Sequence, residues 1–176
     1  MSASKKLAAS MKVSREEILE HFPADKRLAY DDFITDEITR FYYQDEEKIR
    51  KIYELISCPW TEIQWSVIEK IPFLNDEETT DFGYAVIGAL NEKSFIHVFP
   101  SLLAEATEND CMTNDYFIRM HLDLRSVYKD WELEFYFSFN EEIVKLIYRI
   151  LSQYGCHVAK DAIYVYWHER GKLPDD

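Results

Sequence analysis

The stretch "DWELEFYFSF", residues 130–139, decides how the chain is classified. Trp131, Leu133, Phe135, Phe137 and Phe139 fall at every second position, with Glu132, Glu134, Tyr136 and Ser138 between them. Period two is the mark of a half-buried strand, and a strand needs a neighbour to take its backbone N–H and C=O groups. No second run alternates in this way. The segment is therefore expected to be a short extended stretch or lone edge near 131–139, in an otherwise helical protein.

On both sides the apolar residues recur at helical spacing. After the alternating run, "FNEEIVKLIYRILSQYG" carries Ile143, Leu146, Ile147, Ile150 and Leu151 in one stripe. Asn140 or Ser138 supplies the cap, and Gly155 ends the helix. A last helix over about 157–169 is apolar nearly all round and is expected to be buried. Before the run, "DYFIRMHLDLRSVY" aligns Phe117, Met120, His121, Leu124 and Tyr128.

"FIHVFPSLLAEA" places Phe95, Ile96, Phe99, Leu102, Leu103 and Ala106 on one face. Pro100 lacks the N–H for the carbonyl four residues back, which predicts a kink or a late helix start. Asn75 with Glu78 reads as a capping box, so the acids of "FLNDEE" open a helix rather than bind metal. Pro59 suits the first turn of a helix carrying Trp60, Ile63, Val67 and Ile71. From Ile34 to Ile56 the period holds, with a break near Gln44–Asp45. Ser14 and Glu17 form a further capping box in "SREEILEHF", which Pro23 closes. Residues 1–13 are expected to fray, and 14–176 to form one all-α domain of seven or eight helices.

Composition agrees with that class. A chain of 176 residues, 47% hydrophobic and 15% aromatic, can bury a core without staples, and four glycines with five prolines leave little material for sheet turns. No run reaches the roughly 18 apolar residues a bilayer span requires, and the N-terminus lacks the apolar region of a signal peptide. Cys58, Cys111 and Cys156 match no CxxC pattern and read as reduced thiols of a cytoplasmic protein.

The formal net charge of −13 argues against nucleic acid and membranes as partners and for a cationic one. Enzyme signatures are missing: no HExxH, no GxSxG, no glycine-rich phosphate loop. The sequence thus assigns no catalytic residue, no metal ligand and no cofactor. His121 with nearby carboxylates is the place a hydrolase-like alternative would use. On its helix, a hydrogen-bonded core histidine explains it as well. His97 falls on a polar face with Ser101, Glu105 and Glu108 and is expected to be exposed.

The surface offers more. Residues 31–47, "DDFITDEITRFYYQDEE", hold seven acids against Arg40 alone. Glu46 with Arg50 and Glu47 with Lys51 have i,i+4 outlets, and Asp36 has Arg40. Asp31, Asp32 and Glu37 have none, and Tyr43 points off the apolar face. Asp31, Asp32, Asp36, Glu37, Tyr43, Glu46 and Glu47 are therefore the expected partner-binding set, with the acids steering a basic protein and Tyr43 anchoring it. The alternative for the same residues is a solvated acidic face on a structural subunit.

From Trp60 to the C-terminus the chain resembles a bacterial family of small helical proteins of unknown function. The likeness lies in the aromatic-led helix, "FLNDEE", "FIHVFPSLL", and the closing "FNEEIVKLIYRIL…AKDAIYVYW" pair. That resemblance implies an all-helical fold and no activity. In profile (small, acidic, aromatic-rich) the chain is similar to immunity proteins, which implies a toxin as the basic partner.

Overall fold

The computed structural model describes residues 13–22, 25–33, 46–68, 87, 90–108, 127 and 129–154. Among them stand seven α-helices, one 3-10 turn and no strand. The protein is all-α. The helices expected around Asn75 and over 157–169 lie outside the described residues, as do the Gln44–Asp45 break and residues 1–12; of the helix expected over 115–128 only Val127 is described, buried and not in a helix.

The chain divides into two compact units, Met1–Pro23 with Leu102–Asp176, and Ala24–Ser101. The first contains α1 (Arg15–His21), α6 (Asp130–Phe137) and α7 (Glu141–Tyr154). Ser14 caps α1 by accepting the Glu17 amide at 3.2 Å. The reciprocal half of the capping box is replaced: the Glu17 carboxylate pairs in two-pronged fashion with the Arg149 guanidinium of α7. Phe22, just before Pro23, is extended (φ −110°, ψ 157°), as the residue before a proline prefers. In α7, the stripe of Ile143, Leu146, Ile147, Ile150 and Leu151 is buried as its spacing predicts. Asn140 is the cap, accepting the Ile143 amide at 3.0 Å, while the Ser138 hydroxyl donates to the Phe135 carbonyl.

The expectation of an extended segment at 131–139 is wrong. Residues 130–137 form α6, with the Leu133 amide on the Lys129 carbonyl and the Ser138 amide on the Glu134 carbonyl. The buried positions are Glu132, Tyr136 and Phe139, spaced four and three apart, whereas Phe137 is 39% exposed. Two forces override the alternation. A lone strand leaves its backbone groups without partners, and a helix pairs them within the segment. The other is local: the Tyr136 hydroxyl donates to Glu132 Oε1 one turn back at 3.1 Å, so a carboxylate is carried into the core. Phe139 packs edge-on against Phe135 (4.9 Å between centroids) and Tyr136 (5.7 Å).

The second unit contains α2 (Tyr30–Phe33), α3 (Glu46–Ile56), a 3-10 turn (Trp60–Glu62) and α4 (Trp65–Ile68). Ile49, Ile52 and Ile56 give α3 its buried stripe. The single helix expected from Pro59 is instead two pieces, interrupted at Ile63 (φ −64°, ψ 126°). The interruption turns Trp65 and Ile68 inward and leaves Val67 40% exposed.

Helix α5 (Glu92–Glu108) supplies residues to both units, which meet in sequence at Ser101 and Leu102. It runs through Pro100, so no late start occurs. An internal proline costs about 3 kcal/mol. Burial of Phe95, Val98, Phe99, Leu102 and Leu103, each worth about 1.5–3 kcal/mol, offsets that. The expected polar face is also corrected. Ser101 is fully buried, and His97 is half-buried with Nε2 2.9 Å from the Cys58 carbonyl.

Candidate functional site

The acidic face lies in the second unit, where three elements hold its described part. Tyr30 opens α2 and packs between Phe33 and Tyr53, its ring edge-on to Tyr53 at 5.0 Å. Arg50 of α3 lies over the Tyr30 ring, 5.3 Å from the centroid. It does not pair with Glu46, so that expected i,i+4 outlet is not used. Tyr30 thereby brings the start of α2 against the first turns of α3.

Of the seven expected partner-binding residues, four are described. Asp31, Glu46 and Glu47 are exposed. Glu47 meets Lys51 at 3.5 Å as its spacing predicts. Asp32 is half-buried and, against expectation, neutralised: its carboxylate meets Lys93 of α5, whose ammonium it holds above the usual lysine range, chiefly by hydrogen bonding. Asp31 and Glu46 carry no ion pair among the described residues. Asp36, Glu37 and Tyr43 lie outside those residues, as does His121 of the enzymatic alternative.

Asn91 ties this face to α5. Its Oδ1 accepts the Ser94 amide at 2.8 Å, capping α5, while its Nδ2 donates to the Asp32 carbonyl at 2.9 Å. One side chain fixes both the start of the helix and the end of α2. Asparagine three residues before a helical amide is a readable cap, and "NEKS" was the signal for it.

A polar cluster that the sequence did not reveal lies along residues 25–28. Asp25 Oδ2 accepts the Thr61 hydroxyl, and Arg27 donates to Ser57 Oγ at 3.2 Å. The Leu28 amide donates to the Ser57 carbonyl at 2.8 Å, and the Leu28 carbonyl accepts the Tyr53 hydroxyl at 3.0 Å. Cys58 stands beside it. Burial, then Glu62 and Asp25, push its thiol pKa up, and Arg27 opposes them only in part. A thiol held protonated is a poor nucleophile and a poor metal ligand. Two buried atoms have no hydrogen-bond partner here: Asp25 Oδ1 and Trp60 Nε1.

Among the described residues no three His, Cys, Asp or Glu side chains stand together as a metal ion requires. No helix among them is long and apolar enough to cross a membrane. What the acidic face can do is attract and orient positive charge. In comparisons with protein families, curated proteins and solved structures, the chain has no match.

Proposed function

We propose that the chain is a non-enzymatic, acidic binding module for a basic protein, in its most concrete form an inhibitor or immunity protein that neutralises a toxin or enzyme by covering it. The observation that carries this reading is the exposed pair Asp31 and Glu46, without ion partners among the described residues, in a chain of net charge −13. Such a field raises the rate of encounter with a cationic surface and disfavours anionic ones. Tyr30, half-buried beside Asp31 and packed on Phe33 and Tyr53, holds the start of α2 in place.

The test uses the full chain as bait in lysate of its native cell, beside a variant with Asp31, Asp36, Glu37 and Glu46 changed to Asn or Gln. A partner of high pI is expected, captured by the first bait and weakly by the second. Its association rate should fall as salt rises past physiological strength, where the Debye length is about 8 Å. An acidic partner, or binding indifferent to salt and to the four changes, refutes the proposal.

A further inference from the structure

We infer that residues Asp25–Ala29 form a strap that opens locally while the helices of its unit stay folded. The strap has no regular secondary structure, and only its last carbonyl, that of Ala29, joins a helix, accepting the Asp32 amide of α2 at 3.1 Å. Four side-on bonds hold three of its first four residues: Thr61 to Asp25, Arg27 to Ser57, Leu28 to the Ser57 carbonyl, and Tyr53 to the Leu28 carbonyl. Leu28 alone among its five residues is buried, with Lys26, Arg27 and Ala29 exposed and Asp25 half-buried. Beyond it, Phe33 is fully buried and Asn91 grips the Asp32 carbonyl, so the downstream end is pinned.

The closed position carries a defect. Asp25 Oδ1 is withdrawn from water with no donor, and the indole N–H of Trp60, next to Thr61, has no acceptor. A buried polar atom left unpaired opposes the state that buries it, and opening returns the Asp25 carboxylate to water. Segments with few apolar contacts and solvent-accessible hydrogen bonds open at far lower free energy than core helices. Opening frees the Ser57 carbonyl and hydroxyl and withdraws the charges of Asp25 and Arg27 from the neighbourhood of Cys58. The second unit thus has two states that differ in the charge they present.

Residue-resolved native-state hydrogen exchange on the full chain tests this. The Leu28 amide, bonded to Ser57, should exchange at least about a hundredfold faster than those of Phe95, Val98 and Leu103 in α5, after correction for intrinsic rates. Tyr53→Phe keeps the ring and removes its bond to the Leu28 carbonyl; Thr61→Val keeps the shape and removes the tie to Asp25. Either should speed Leu28 exchange a further five- to tenfold, roughly, and leave the α5 amides unchanged. Equal protection of Leu28 and α5 in the unaltered chain overturns the inference, because the strap would then open only on global unfolding. Equal acceleration of every amide in both variants overturns it too.

Discussion

Two serines of α5 should respond oppositely to the same substitution. Ser101 and Ser94 are both fully buried. Ser101 Oγ accepts the indole N–H of Trp65 at 2.9 Å, itself buried, whereas Ser94 Oγ has no partner. Ser101→Ala strands the indole donor, a loss of about 1–3 kcal/mol, against about 0.5 kcal/mol returned by the helix propensity of alanine. The net cost is about 0.5–2.5 kcal/mol. Ser94→Ala deletes a hydroxyl that is buried without reward, and should stabilise by about 0.5–2 kcal/mol. Urea unfolding followed by far-UV circular dichroism reads both. With a slope near 2 kcal/mol/M, the midpoints should move about 0.25–1.2 M down for Ser101→Ala and about 0.25–1 M up for Ser94→Ala. A double-mutant cycle with Trp65→Phe should recover about 1 kcal/mol of coupling for Ser101 and none for Ser94. Shifts of the same sign would refute the reasoning, since burial and residue type are matched and only the partner differs.

Other consequences are as direct. In α6, Tyr136→Ala should cost about 3–5 kcal/mol and Phe137→Ser no more than about 0.5 kcal/mol, because the first is buried and the second exposed; the reverse order would restore the strand reading. Ser14→Ala should cost about 0.5–2 kcal/mol through loss of the α1 cap, measured by thermal unfolding. Lys145 hydrogen-bonds Glu141 at 2.8 Å, which holds the Glu141 carboxyl below its usual range and the Lys145 ammonium above its own. The carboxylate's contribution is present above its unfolded pKa and is lost as pH falls through the folded one; the lysine's is lost as pH rises through its raised value. Lys145→Gln should return Glu141 toward the ordinary carboxylate range in an NMR titration, and high salt should do much the same.

The fold class was legible where the period was strong. Ile143 to Leu151 and Ile49 to Ile56 are buried at the positions their spacing names, because a stripe on one face has a single way to leave water. Period failed at 130–139, where large apolar side chains at alternate positions mimic a strand and the deciding contact, Tyr136 to Glu132, joins two polar groups. It failed again on α5: His97 and Ser101 look like an outer face, yet the partners that let them be half-buried and buried are Cys58 and Trp65, 39 and 36 residues away. Local pairing was read correctly at Glu47–Lys51. The neutralisation of Asp32 by Lys93, 61 residues on, left no trace in a local window. The same holds for the 25–28 cluster, whose ties to Ser57 and Thr61 span 30 and 36 residues.

The clip between Glu17 and Arg149 sets an order of events at the ribosome. Its two ends are 132 residues apart in the chain, so at roughly 5–20 residues per second about 7–26 s separate their synthesis. During that interval α1, seven residues long, has no α7 to hold it, and a helix so short does not persist alone in water. Ala24–Ser101 emerges complete while Ile18 is still without its covering helix. The first-made of the described helices is therefore among the last of them to settle, and a nascent chain halted before Arg149 should leave residues 15–21 open to protease.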